Sequence, residues 1–274
     1  MKVFFRIWES FVVVWQRRDL LYQLINRNVQ SRYRGSMLGL TWSFIQPLIM
    51  LAIYTFVFSI VFKAKFGSIP NDDRMAFAVI LFSGMAVFSV FADSLNGSCY
   101  LITSNSNYVK RVVFPLELLP ISHVAGVAIN AIPSFILVLL GMAFCGRPFC
   151  FSWTLLLLPI TIIPLWLLSL GGAFIFASLA VYIRDLAYVI NLFTQILFFM
   201  TPIFYPIEAV PERYRWILQT NPLSLLVENT RALMLYGRIP DWRFCLIPFL
   251  TALVIYHLGY VWFVKSKKGF ADVL

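Results

Sequence analysis

The chain has 274 residues, of which 61% are hydrophobic and only 12% are charged. A soluble domain of this length carries about a quarter of charged residues, so the composition excludes one and predicts an integral membrane protein. Its apolar runs are continuous rather than alternating, which excludes a membrane-spanning barrel and predicts an all-α fold. The net charge of +10 lies mostly beside these runs. It therefore indicates topology signals and contacts with membrane lipids, not nucleic-acid binding.

The first predicted element is an amphipathic helix over residues 3–30. Its large apolar side chains, among them Trp15 and Tyr22, fall near one face, whereas the basic residues crowd elsewhere. This pattern is typical of a helix that lies in the headgroup plane of a membrane and does not cross it. We therefore expect an N-terminal amphipathic interfacial helix.

Six apolar runs follow, and each is near or above the length of about 20 residues that crosses a bilayer. They cover residues 37–62, 75–98, 117–144, 154–182, 186–205 and 244–264. The sequence therefore predicts six transmembrane helices within residues 37–264.

A chain with six spans has both ends on the same side of the membrane. Basic clusters at residues 27–34 and 265–268 flank the first and last runs, which predicts that this side is cytoplasmic. The outer segments also carry basic residues, among them Arg231, which acids such as Glu228 partly offset. We therefore expect both termini to be cytoplasmic and residues 265–274 to form a cytoplasmic tail.

Residues 206–242, between the fifth and sixth runs, contain two signals for the start of a helix. The first is Pro211 before an acidic residue, and the second is Asn221 before Pro222, which places an Asn cap ahead of a Pro at the first helical position. The second helix, which should stop at Gly237, is too short to cross a membrane. We expect an outer re-entrant helical hairpin before the last span; the alternative is a pair of surface helices outside the membrane.

Ionisable residues are few inside the predicted spans. Asp93, with Asn96 one turn later, is the clearest acid there, and we favour hydrogen bonding across the helix bundle over a proton relay. His123 and His257 lie on different spans, which favours packing roles over metal binding.

The sequence predicts no active site on this chain. It lacks the glycine-rich loop ending in Lys and Ser or Thr that cradles nucleotide phosphates. We therefore expect no catalytic residue, no bound cofactor and no metal ion. The four cysteines have no metal-ligand spacing; Cys145 and Cys150 either form a disulfide or are small buried thiols.

Several motifs occur in chain order and together suggest a family. They are the basic-aromatic-basic segment with its Ser-x-Leu-Gly, Trp and Pro at 32–47, and the segments 110–120, 181–186, 201–205, 221–231 and 265–274. In this order they resemble the permease subunit of ABC-2 type polysaccharide exporters. The tail looks like that of O-antigen exporters, and the chain is also similar to capsule and teichoic-acid export permeases.

The resemblance implies a single ABC-2 type transmembrane domain over residues 1–274. It implies a permease subunit that moves lipid-linked polysaccharide, O-antigen on undecaprenyl diphosphate, across the bacterial inner membrane. It also implies a homodimer with two ATP-binding subunits, which would hold ATP and Mg²⁺ and carry the ATPase activity, so this chain is not expected to be an enzyme. The alternatives are an ABC-2 exporter of teichoic acid, capsule or a small hydrophobic molecule and, outside the family, a secondary transporter or a membrane glycosyltransferase.

Two groups of candidate site residues lie on the predicted inner side. Arg32 and Arg34 can donate charge-assisted hydrogen bonds to the diphosphate of the carrier, an interpretation that competes with simple anchoring of the first span. The polar, basic loop after the second span can contact a soluble partner, and the resemblance assigns it to coupling with the ATP-binding subunit. The next inner turn, with its adjacent Arg and Asp, either contacts the same partner or only anchors the topology. The residues concerned are Asn105, Asn107, Tyr108, Lys110, Arg111, Arg184 and Asp185.

A third group is aromatic. Sugar rings stack weakly and repeatedly on aromatic faces, so a polysaccharide path can use such residues as its lining. The candidates are Tyr54, Phe58, Phe199 and Tyr205. Contact with lipid or with the protein core is the competing interpretation for most aromatic residues of this chain.

Overall fold

In a computed structural model, the structure describes residues 12–33, 35–61, 74–110, 114–145, 149 and 151–274. Over these ranges the fold is helical and contains no strand. The helices are α1 (Arg18–Tyr33), α2 (Trp42–Tyr54), α3 (Arg74–Ser98), α4 (Ser106–Val109), α5 (Leu118–Cys145), α6 (Pro159–Tyr182), α7 (Leu186–Phe199), α8 (Glu212–Thr220), α9 (Pro222–Met234), α10 (Trp242–Ser266) and α11 (Phe270–Val273). A π-helix, Thr55–Val61, continues α2 directly.

Four helical segments are long and apolar enough to cross a membrane, and they identify the chain as an integral membrane protein. They are Met75–Ser98, Leu118–Cys145, Trp153–Tyr182 and Trp242–Val273, which match the second, third, fourth and sixth predicted spans. The first and fifth predicted spans correspond to the shorter apolar helices Trp42–Phe58 and Leu186–Phe199.

The fifth predicted span, 186–205, is helical only in its first part. Its helix, α7, has 14 residues and stops at Phe199. Pro202 gives the physical reason, because a proline disfavours helical geometry in the residue before it. At about 1.5 Å per residue, α7 is about 21 Å long, which is shorter than the hydrocarbon core of about 30 Å.

Helices α6 and α10 approach each other closely because glycines lie at their contact. A Cβ atom on Gly171 would lie 2.6 Å from the backbone nitrogen of Tyr256, and one on Gly259 would collide with the carbonyl oxygen of Gly171. Phe174 of α6 then packs edge-on against Tyr260 of α10, with ring centroids 5.4 Å apart. Small residues allow this approach of two backbones, which side chains of ordinary size would prevent.

Helices α8 and α9 begin at the two predicted signals. Asn221 caps α9, since its Oδ1 accepts a hydrogen bond from the backbone nitrogen of Leu223 at 3.0 Å, and Pro222 is the first helical residue. Helix α9 ends at Met234, three residues before Gly237, whose φ of 59° is left-handed. Helix α9 is mostly buried against α3 and α10, whereas α8 is mostly exposed.

Candidate functional site

A cavity lies at an ion pair between α1 and α3. Arg32, one residue before the end of α1, donates from Nη2 to Oδ2 of Asp93 at 3.0 Å. The two side chains are 41% and 44% exposed. They face a cavity of about 220 Å³, which α1, α2, α3 and α5 line together. Its further polar lining consists of Ser43, Gln46, Ser89, Asn130 and Ser134, with Trp42 beside them.

The surroundings of Arg32, Asp93 and Asn96 can be compared with the predictions from the sequence. Of the two arginines proposed to meet a diphosphate, Arg32 lies at the cavity, and Arg34 falls outside the described residues. Hydrogen bonding across the bundle is confirmed at Asn96, whose amide donates to Oγ1 of Thr194 on α7 at 3.2 Å. The partner of Asp93 was missed, because Arg32 precedes it by 61 positions.

The two histidines have different surroundings. His123 lies with its Nε2 3.4 Å from the backbone oxygen of Asp93, and its ring fits against Gly97, where a side chain would collide with it. Both contacts support the packing role that the sequence predicts. The Nδ1 of His257 is buried and has no hydrogen-bond partner in the described part of the chain.

A second group of polar contacts joins α1 to the loop after α3. Arg27 of α1 donates to Oη of Tyr108 at 2.9 Å and to Oδ1 of Asn105 at 3.2 Å. Tyr108, on the short helix α4, also stacks on Phe114 with centroids 4.4 Å apart. Because Arg27 bonds to both residues, it holds α4 against α1. We call these two helices the α1–α4 unit. Arg27 was not among the predicted coupling residues, although it lies in the basic cluster that precedes the first span.

The other predicted coupling residues are placed as follows. Asn107 and Lys110 are exposed beside the α1–α4 unit, and Arg111 lies outside the described residues. Arg184 and Asp185 are exposed in the turn between α6 and α7.

The chain end packs beside the start of α5 and the end of α6. Oη of Tyr182 donates to the backbone oxygen of Ser266 at 3.1 Å. Lys267 forms an ion pair with Glu117, just before α5, and Phe270 is buried beneath Tyr182. The tail is therefore attached to the end of α6 and to the residue that precedes α5.

The aromatic candidates converge on one cluster, which we call the aromatic cluster and define as Tyr54, Phe58, Phe198, Phe199 and Phe204. Phe204, only 3% exposed, is its centre. It stacks on Phe58 at 4.3 Å and lies 5.4 Å from Tyr54 and 5.0 Å from Phe198, centroid to centroid. Phe199 is 64% exposed at its edge. The cluster thus joins α2 to the end of α7 and the loop after it.

Tyr205, the fourth predicted aromatic residue, lies next to the cluster. Its Oη donates to the backbone oxygen of Phe199 at 2.8 Å. The structure therefore brings together all four residues that the sequence proposes as a lining.

Arg231, which the sequence analysis counts among the basic residues of the outer segments, has a side chain that is only 1% exposed. Its guanidinium donates to the carbonyl oxygens of Pro202 and Ile203 at 2.6 and 2.9 Å and to Oε1 of Glu228 at 2.8 Å. A third carbonyl oxygen, of Ile80 on α3, accepts from its Nε at 3.3 Å. Arg231 therefore fixes the loop that carries Phe204.

Comparison with known proteins gives consistent results. Residues 19–235 match the family described as ABC-2 type transporter. The chain is 29% identical over 256 residues to the O-antigen export system permease protein RfbA of Klebsiella pneumoniae, covering 93% of this chain and 95% of that protein. It is 30% identical over 262 residues to the protein of the same name from Myxococcus xanthus, covering 94% and 96%. It is 25% identical over 242 residues to the polysialic acid transport protein KpsM of Escherichia coli, covering 85% and 91%.

Proposed function

The chain belongs to the ABC-2 type transporter family, and from this premise we propose that it is the permease subunit of an ATP-driven exporter of lipid-linked polysaccharide. The observation that carries the proposal is the match to O-antigen export permeases over nearly the whole chain, which includes both the α1–α4 unit and the aromatic cluster. The proposed cargo is O-antigen on undecaprenyl diphosphate, moved across the bacterial inner membrane. The likeness to the polysialic acid transport protein favours a capsule polymer as the second candidate.

In the proposed topology all six apolar helical segments span the membrane and both termini are cytoplasmic. The 13 residues of α2 and the 7 of the π-helix reach about 30 Å together, which is enough to cross. Helix α7 is completed by the loop after it, whose backbone is non-helical. Such backbone is tolerated at membrane depth where it is buried in protein, and the bonds from Arg231 to Pro202 and Ile203 meet that condition. Helices α8 and α9 form the proposed re-entrant hairpin.

In the proposed assembly, two copies of the chain form the channel and two ATP-binding subunits dock at the inner side. The α1–α4 unit, with Asn107 and Lys110 exposed beside it, is the proposed contact surface, together with Arg184 and Asp185. ATP and Mg²⁺ are assigned to the partner subunits. Because Arg27 ties α4 to α1, a movement of α4 on ATP hydrolysis would be passed to the helix that carries Arg32.

Arg32 is the proposed contact for the carrier diphosphate. The side chain lies at the end of α1, and its partner Asp93 lies five residues before the end of α3, about 7.5 Å along the helix. In the proposed topology, this depth corresponds to the inner leaflet, where a carrier headgroup lies. A guanidinium presents a planar fork of donors that suits phosphate oxygens.

The proposed function is tested by separating the chain from its partner. Purified alone, the full-length chain should hydrolyse no ATP, and ATPase activity should appear when the ATP-binding subunit is added. In cells that lack the chain, surface polysaccharide should be lost and should return with the chain and an active partner. A partner whose phosphate-binding lysine is replaced serves as the control. Export that persists without any ATP-binding subunit would contradict the proposal.

The aromatic cluster gives a further prediction about the path. If sugar rings stack there, Tyr54→Leu, Phe58→Leu, Phe199→Leu and Tyr205→Leu should each reduce export, because Leu keeps apolar contact but offers no ring face. Each lost stack should cost about 1–3 kcal/mol by analogy with the stacking of bases on aromatic side chains. The measurement is surface polysaccharide per cell, divided by the amount of assembled complex.

Exposed aromatic residues outside the cluster provide the control for that experiment. Phe144 of α5 is exposed and belongs to no ring contact that the structure describes, so Phe144→Leu should leave the ratio unchanged. If the Leu variants at Tyr54, Phe58, Phe199 and Tyr205 all behave like the control, these residues contact lipid or the protein core and do not line the path.

A further inference from the structure

Arg32 and Asp93 are the two charged side chains in the lining of the cavity that the structure describes. The rest of the polar lining is uncharged and consists of hydroxyls and amides on α2, α3 and α5, among them Gln46, Ser89 and Asn130. A volume of about 220 Å³ is several times the space of one water molecule, about 30 Å³. The ion pair therefore stands at a cavity that can accept a ligand group.

The ion pair itself is weakly held. The described contact is one hydrogen bond of 3.0 Å, and it uses one of the five N–H donors of the guanidinium. With both side chains about two-fifths exposed, its net contribution is that of an accessible pair and not of a buried one. A diphosphate brings more charge and more acceptor oxygens than one carboxylate, so it can displace Asp93 from Arg32.

A displaced Asp93 carboxylate cannot stay beside a phosphate, because the two negative charges repel each other. The amides of Gln46 and Asn130 line the same cavity and supply neutral donors for the carboxylate. The cavity thus provides partners for Asp93 in both states.

We infer that Asp93 is an internal competitor that occupies Arg32 until a diphosphate-bearing ligand takes its place in the cavity. The inference rests on the proposed role of Arg32 and deepens it, since it names Asp93 as the group that a ligand must displace from Arg32. Such a competitor keeps Arg32 paired in the absence of ligand. A ligand then binds only if it interacts with Arg32 more strongly than Asp93 does. It predicts that removing the acid strengthens binding, the opposite of what a supporting residue would do.

The experiment measures binding to the full-length chain in detergent by isothermal titration calorimetry. The probes are inorganic pyrophosphate, farnesyl diphosphate and, as the tail alone, farnesol. Asp93→Asn should tighten binding of both diphosphates by about two- to fivefold, the value of an accessible ion pair. Arg32→Gln should weaken both, the double variant should bind as weakly as Arg32→Gln, and farnesol should show no such pattern.

Two variants with matched charge changes serve as controls. Asp272→Asn and Arg17→Gln alter exposed residues outside the cavity lining and should leave both affinities unchanged. Asp93→Ser provides a second neutral variant if Asp93→Asn does not fold. The same tightening is expected from it.

The possible results separate the inference from the proposed role of Arg32. If neutral variants of Asp93 weaken diphosphate binding as Arg32→Gln does, Asp93 supports the site and the competitor is rejected, while the role of Arg32 stands. If Arg32→Gln leaves diphosphate binding intact, the role of Arg32 is rejected as well. If tightening occurs with farnesyl diphosphate but not pyrophosphate, the site requires the lipid form of the ligand; tightening with farnesol would overturn the inference.

Discussion

Replacing Arg231 by Met should lower the stability of the chain by about 1–3 kcal/mol for each buried carbonyl oxygen that is left without a hydrogen-bond donor. Met fills much of the volume but donates nothing, so the carbonyl oxygens of Pro202 and Ile203 lose their described partner. The loop that carries Phe204 should then loosen, and the aromatic cluster with it. The measurements are the thermal unfolding of the full-length chain in detergent, followed by size-exclusion chromatography, and surface polysaccharide in cells.

The same contact can be tested from α3. A Cβ atom on Gly84 would lie 2.6 Å from Nη2 of Arg231, so Gly84→Ala should displace the guanidinium and lower stability in the same direction. Arg231→Lys should fall between wild type and Arg231→Met, since one ammonium keeps the charge but not the fork of donors. Arg213→Met, at an exposed arginine of α8, is the matched control and should unfold like wild type. A normal unfolding temperature for Arg231→Met would contradict our conclusion that Arg231 fixes the loop that carries Phe204.

The sequence predicts the long helices well, because a membrane requires continuous apolar runs whose length can be read directly. Four of the six predicted runs match helices of spanning length. The end of the fifth run could not be predicted from hydropathy, since residues 200–205 are as apolar as a helix would be. What makes the loop tolerable is Arg231, which is about 30 positions away and satisfies its carbonyl groups from another helix.

The candidate site was predicted one residue at a time and not as pairs. Arg32 and Asp93 each stand out as charges near or within an apolar run, but one sequence does not show that they meet. The same holds for Arg27, which reaches Tyr108 across 81 positions. The aromatic candidates were found because composition and membrane depth already limit where rings can lie. The central position of Phe204 depends on the turn after α7, which only the tertiary structure shows.

Replacing Gly259 by Leu should prevent the normal packing of α6 against α10 and so lower the yield of folded protein sharply. The colliding atom is the backbone carbonyl oxygen of Gly171, which cannot move aside as a side chain can. The two helices would have to separate, and the ring contacts of Phe174 with Tyr260 would be lost. Overpacking of this kind costs about 1–3 kcal/mol and more where backbone is in the way.

The matched control for Gly259→Leu is Leu258→Val, at the neighbouring position of α10, whose side chain is exposed. It should express and unfold like wild type, because it changes volume on a face that packs against nothing described in the chain. Both variants are measured as the monodisperse fraction in detergent and as the midpoint of thermal unfolding. The α6–α10 pair joins the turn of Arg184 and Asp185 to the tail at Ser266, so its separation should also reduce coupling to an ATP-binding subunit. If Gly259→Leu folds and exports normally, the close approach of the two backbones is wrong.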